Sequence, residues 1–122
     1  MNSADGPAAA PGASLEHPVS IDRAHLEAAT SAFAMLADPT RLHILLSLAA
    51  GEADVTALTA ACGASRTAVS QHLAKLRFTG MVDTRREGRH VIYRIRDGHL
   101  ARLVREGLNL ADHIVTGEPP HA

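Results

Sequence analysis

The chain has 122 residues, a formal net charge of −1, 46% hydrophobic but only 2% aromatic residues, and one cysteine. That length suits a single domain with a modest core, and so small an aromatic content favours helices packed through Ala, Leu and Val. The lone Cys62 excludes an internal disulfide and any cysteine-pair zinc site, no apolar run approaches the ~18 residues that span a bilayer, and no basic stretch followed by an apolar one opens the chain as a secretory signal would, so a cytoplasmic protein without a membrane partner is expected.

Residues 1–20 are rich in Ala, Pro, Gly and Ser and bury too little to offset the entropy of ordering. They are expected to form a disordered N-terminal arm, with His17 near its end. Ile21, Leu26, Ala29, Phe33 and Leu36 then predict a first helix up to Ala37. Asp38-Pro39 reads as an N-cap followed by a proline at the first helical position. The helix it opens carries Leu42, Ile44, Leu45, Leu46 and Leu48 and stops at Gly51. Val55 to Cys62 is a short third helix, and Gly63-Ala64-Ser65 a three-residue turn into a fourth.

The fourth helix, Ser65 to Arg77, has two unlike faces. Val69, Leu73 and Leu76 recur at i, i+4 and i+7 as one apolar seam. Thr67, Ser70, Gln71 and Ala74 lie on the other side, small and uncharged, with Arg66, Lys75 and Arg77 around them. A solvated face usually carries Glu and Lys. This one carries short-range donors and acceptors that suit base edges in a major groove. Ser65 is a good N-cap and Gly80 fits the position just past the helix end. Taken alone, the pattern also fits an ordinary amphipathic helix. Its neighbours weigh against that, because helix, short Gly-containing turn and helix make a helix-turn-helix.

Past Gly80 the period changes to two. Val82, Thr84 and Arg86 alternate with Met81, Asp83 and Arg85; after Glu87-Gly88-Arg89, Val91, Tyr93 and Ile95 alternate with Ile92 and Arg94. This predicts a β-hairpin. A basic hairpin directly after a helix-turn-helix reads as a wing, with Arg85, Arg86 and Arg89 along phosphates or in a minor groove. The same arginines also suit a solvated edge that blocks aggregation. Ten of the twelve Lys and Arg residues fall between Arg66 and Arg105, opposed only by Asp83, Glu87 and Asp97, a local charge of +7 hidden by an acidic remainder. Local charge is what a phosphate backbone meets.

Asp97 caps a last helix, 97–115, with Leu100, Val104, Leu108, Ala111 and Ile114 on one broad stripe. A small winged helix already has its core, so a second copy of the chain is the natural cover, giving a twofold dimer. The recognition helices would then lie about one turn of DNA apart. Residues 116–122 are expected to form a flexible tail.

Ala37-Asp38-Pro39-Thr40-Arg41-Leu42, the run Ala68 to Leu76, Arg85-Arg86-Glu87-Gly88-Arg89 and Val91-Ile92-Tyr93 together resemble the ArsR/SmtB family of winged-helix metalloregulators, over roughly Phe33 to His113. The resemblance implies a mainly α fold with a β-hairpin wing, dimerised through its terminal helices. It implies a homodimeric repressor that leaves double-stranded operator DNA when it binds an inducer, usually a metal ion. One family type uses paired cysteines in the helix before the turn; here Asp54 to Thr59 has none. Another uses the last helix, and this chain keeps Asp97-Gly98-His99 and His113, with Leu110 where a further histidine would stand. The nickel/cobalt-sensing branch resembles the chain more closely, in His99, the pair Asp112-His113 and His121 eight residues on. The implied inducer is Ni2+ or Co2+ first, with Zn2+ an allowed alternative, and His17 is an outside candidate ligand.

Helix geometry bears on this set. His99 and His113 share a face but stand ~21 Å apart along one helix, so only two antiparallel helices across a dimer bring them together. Asp112 points ~100° away from His113 on a regular helix. Imidazole and carboxylate suit nickel, cobalt or zinc, and more than four N/O ligands favour octahedral nickel or cobalt. Asp97 is first an N-cap and second a ligand. His72 flanks the recognition face, to touch phosphate or to pack. His25, His43 and His90 read as surface residues, and Cys62 as a small half-buried one. Two rivals remain: a DNA-binding regulator that senses no metal, which Leu110 motivates, and a winged helix used as a protein-interaction module. No nucleophile–base pair, phosphate loop or paired catalytic acids point to an enzyme.

Overall fold

In a computed structural model, which describes residues 21–117, the order is α1 (Arg23–Leu36), α2 (Pro39–Ala50), α3 (Val55–Cys62), α4 (Arg66–Phe78), β1 (Val82–Glu87), β2 (His90–Ile95) and α5 (Gly98–Thr116). The chain divides into two units, Met1–Ser31 and Ala32–Ala122. In the first, the Asp22 carboxylate accepts from the His25 amide at 2.8 Å and starts α1.

Side-chain caps set most of the helix starts in the second unit. Asp38 accepts from the Arg41 amide with Pro39 in the first turn, Asp54 from Ala57, Ser65 from Ala68 and Asp97 from His99. Each satisfies an amide that the first helical turn cannot. Gly63 ends α3 at φ 64, the left-handed region that a side chain disfavours, and so permits the tight turn into α4. The α4 end closes through the Met81 amide, which donates to the Leu76 carbonyl at 3.0 Å past Gly80.

β1 and β2 pair antiparallel from Val82–Ile95 to Glu87–His90 across a two-residue turn. Gly88 opens that turn at φ 62, as the twist of a short hairpin demands. Ala53 adds a bridge, exchanging two backbone hydrogen bonds with Tyr93 (3.1 and 2.8 Å). The loop between α2 and α3 thereby gives the hairpin a third edge. The expected alternation is not clean, since Ile92 is half-buried alongside Val91 and Tyr93.

The core is made by α2 (Ile44, Leu45, Leu48), α3 (Leu58), α4 (Val69, Leu73, Leu76), β1 (Val82) and α5 (Val104). α2 is its centre, packing against α3, α4, α5 and β2. All three seam residues of α4 are fully buried, whereas α5 buries only Val104. Its Leu108, Leu110, Ile114 and Val115 remain 55–83% exposed. The last helix runs one residue beyond its expected end, to Thr116, and closes on Gly117. Among the described residues no helix is long and apolar enough to cross a membrane.

Candidate nucleic-acid interface and metal ligands

Burying Val69, Leu73 and Leu76 turns the opposite side of α4 to solvent. Thr67, Ser70, Gln71 and Lys75 are exposed there, and Arg66, Thr67, Ser70, Gln71 and Ala74 line one shallow depression. Ser65, as N-cap, holds the first turn of that face in place. Arg66 reaches back to α3, where its guanidinium donates to Thr56 Oγ1 at 3.0 Å.

A cleft of about 210 Å3 joins this face to the wing, with Arg66 and Ser70 on one side and Arg89, His90 and Tyr93 on the other. Its acid, Asp54, is engaged by the Ala57 amide and by His90 Nδ1 at 3.3 Å. Such a cleft suits an anionic backbone.

The three wing arginines are not equivalent. Arg85 is bound to Glu52 at 2.9 Å and to Glu87 at 3.0 Å. Hydrogen bonds to those carboxylates, Glu52 first, hold its guanidinium above the usual arginine range, so its charge is already spent locally. Arg86 and Arg89 are exposed, with no ion-pair partner among the described residues. Nothing in the sequence pairs Glu52 with Arg85, thirty-three positions away. On the same hairpin Asp83 takes both Arg94 and Arg96, and the Arg96 hydrogen bond is the main cause holding its carboxyl below the ordinary value.

His72 packs rather than projects. Its side chain is 20% exposed, with Nε2 3.6 Å from Asp38 Oδ2 and Nδ1 3.4 Å from Arg41 Nη1. Cys62 is half-buried, and burial pushes its thiol up from the ordinary value.

The expected metal ligands are spread along α5. Asp97 is spent as N-cap, accepting from the His99 amide at 2.7 Å. His99 is exposed, with Nδ1 2.6 Å from Arg102 Nη2. Asp112 is exposed and His113 half-buried at the far end of the 19-residue helix. His121 and His17 lie outside the described residues. Within one chain, among the described residues, no three His, Cys, Asp or Glu side chains gather where an ion could be held. The donor types fit nickel, cobalt or zinc, but a full set needs a second α5.

A family profile described as "Bacterial regulatory protein, arsR family" matches residues 38–84, from the start of α2 into β1. The chain is 44% identical over 89 residues to the HTH-type transcriptional regulator KmtR of Mycobacterium tuberculosis, covering 73% of this chain and 68% of that protein. It is 40% identical over 82 residues to the HTH-type transcriptional regulator NmtR of the same organism, covering 67% and 68%. Among solved structures, the AntR antimony-specific transcriptional repressor superposes with a TM-score of 0.73 at 33% identity, over 89% of this chain and 99% of that one. The homodimeric winged helix-turn-helix DNA-binding domain of Mb0332 from Mycobacterium bovis superposes at 0.70 with 32% identity, over 88% and 100%. With its helix-turn-helix, its hairpin wing and these likenesses, the chain belongs to the arsR family of bacterial regulatory proteins.

Proposed function

We propose that the chain is a homodimeric repressor that holds operator DNA until a transition-metal ion binds. The observation that carries the DNA half is the cleft in which Arg66 and Ser70 of α4 meet Arg89 and His90 of the wing. It puts hydrogen-bonding groups for base edges next to cations for phosphates, the division of labour that operator binding requires. Thr67, Ser70 and Gln71 read bases, while Arg66, Lys75, Arg86 and Arg89 meet the backbone. Arg85, already paired with two acids, contributes less.

The metal half rests on α5. Its exposed apolar stripe favours an antiparallel partner helix, and that pairing brings His99 of one chain toward His113 of the other. Asp112 and His121 are the further candidate donors, and Asp97 is the weakest because it caps the helix. When bound, the ion supplies a crosslink between the two α5 helices. The residues then favour a dimer whose recognition helices no longer match the half-site spacing. Emptying the operator from near-saturation to near-vacancy takes a preference of about 5.5 kcal/mol for the DNA-free form. Ni2+ and Co2+ come before Zn2+ because the candidate donors are nitrogen and oxygen and number more than four.

The test is fluorescence anisotropy of the full chain on its own upstream DNA, with nickel, cobalt and zinc titrated in turn. Release by one ion, abolished in a His99→Ala/His113→Ala double variant, is expected. Binding to DNA with no response to any ion favours the reading that Leu110 motivates, a regulator that senses no metal. Absence of a steep salt dependence would sink the DNA reading altogether and leave a protein-interaction module.

A further inference from the structure

Two sequence motifs meet behind the recognition helix. Asp38 to Arg41 opens α2, and Ser70 to Leu73 lies mid-α4. Asp38 Oδ2 caps α2 through the Arg41 amide at 3.0 Å, and the same oxygen lies 3.6 Å from His72 Nε2. Arg41 reaches two ways. Its Nε donates to the Met35 carbonyl in the last turn of α1 at 2.9 Å, and its Nη1 lies 3.4 Å from His72 Nδ1. A guanidinium only donates, so Nδ1 must accept. That assigns the imidazole proton to Nε2, facing Asp38. The Arg41 amide, foremost, and the Arg41 charge hold the Asp38 carboxyl below its ordinary value, so the acceptor stays ionised.

None of this is needed to cap a helix, since Ser65 caps α4 with one hydroxyl. Apart from Arg66, which donates to Thr56 Oγ1 of α3 at the helix start, α4 is held by the apolar seam Val69, Leu73 and Leu76. Apolar packing is non-directional and tolerates small rotations about the helix axis, whereas a polar link fixes orientation. Base-edge hydrogen bonds are steep in angle and distance, so a rotation too small to disturb the core still misplaces Gln71.

We propose that His72 is a positioning residue, holding the recognition helix in register against Asp38 and Arg41 at the start of α2 without touching DNA. The inference rests on the operator-binding reading above.

The experiment measures affinity of the full-length protein for its own upstream DNA across a salt series, for wild type and for His72→Gln, His72→Leu and His72→Lys. Glutamine offers one acceptor and one donor, as the neutral imidazole does, and should bind within about threefold of wild type. Leucine offers neither, and lysine cannot accept from Arg41; both should bind about tenfold more weakly, with the salt slope unchanged. A phosphate contact gives the opposite pattern: lysine keeps affinity, while glutamine and leucine lose it and the slope falls by about one. That pattern, or equal binding by all variants, overturns the proposal. Should His72→Leu lower the thermal midpoint, Arg41→Met leaves His72 in place and withdraws its donor. Because His72→Leu already removes what Arg41 holds, the double variant should lose no more affinity than His72→Leu alone; losses that multiply overturn the proposal. Wild-type protein without salt-dependent binding overturns the operator reading as well, a result distinct from all of these.

Discussion

α4 and α5 are both amphipathic helices of one small fold, and they finish differently. α4 buries its whole seam inside its own chain, with Val69, Leu73 and Leu76 at 0% exposure. α5 buries Val104 alone and leaves Leu108, Leu110 and Ile114 more than half exposed. The first helix is complete in the monomer, so its outer face is free to serve as a reading surface. The second offers an apolar face without cover, so its chemistry is decided by what packs on it. On the proposed repressor function, output would rest on a rigid element, and input on one that assembly completes.

The contrast can be broken most sharply in the core. Leu73→Ala should destabilise the chain by about 2–5 kcal/mol in urea denaturation, independent of protein concentration. A Leu108→Ala change should cost much less in the dilute chain. Equal and concentration-independent losses would erase the distinction between the helices. Next in size, Leu108→Glu should raise the dimer dissociation constant by about thirtyfold or more, as expected where a buried anchor is lost, with helical content preserved. Sedimentation that shows an undisturbed dimer would mean that α5 is covered elsewhere.

On the proposed reading surface the effects are smaller and more specific. Gln71→Ala should cost about 1–3 kcal/mol of discrimination at one base pair and leave the salt slope alone. Arg89→Ala should weaken all sequences alike and lower that slope by about one. Arg85→Ala should lower it less, because Glu52 and Glu87 already hold its charge. Equal slopes for Arg85→Ala and Arg89→Ala would contradict that ranking.

The smallest expected effect is on pH. Asp38 and Asp83 have folded-state carboxyls below their ordinary 3.8, the first through the Arg41 amide and the second through Arg96. A depressed carboxyl stabilises the fold above its unfolded value, and that contribution drains away as pH falls through the folded value. Stability should therefore be flat on the alkaline side of 3.8 and fall on the acid side, with part of the fall removed in Asp83→Asn. A thermal midpoint in that variant with the wild-type acid dependence would exclude the Asp83 contribution.

Much of this fold is legible in sequence because its punctuation is local. Asp38-Pro39, Ser65 and Asp97 announce helix starts within three residues, and Gly88 announces the hairpin. Periodicity alone finds the α4 seam. What escapes is long-range and polar. The Glu52–Arg85 pair and the Ala53–Tyr93 bridge join segments that share no pattern, and a one-residue bridge has no periodicity. His72 is ambiguous in sequence because its helical position lies on the border between seam and outer face; only Asp38 and Arg41, brought over by α2, turn it inward. The metal candidates are visible as residue types, but their meeting depends on a second chain, which no single sequence describes.

The bridge from Ala53 to Tyr93 makes the wing a cantilever. Its root is clamped, with Val82 buried at one edge and Tyr93 bonded on both sides of its peptide to the α2–α3 loop. Its tip, Gly88-Arg89, has the hairpin turn and, one residue on, only the solvent-exposed His90 contact to Asp54 at 3.3 Å to restrain it. Bending should grow along its length, so Arg85 travels with the body while Arg89 sweeps an arc. Amide hydrogen exchange should follow that gradient, slow at Tyr93 and Ala53 and fast at Arg89. A reader with a stiff root and a compliant tip can keep one grip on the backbone while following variations in groove width.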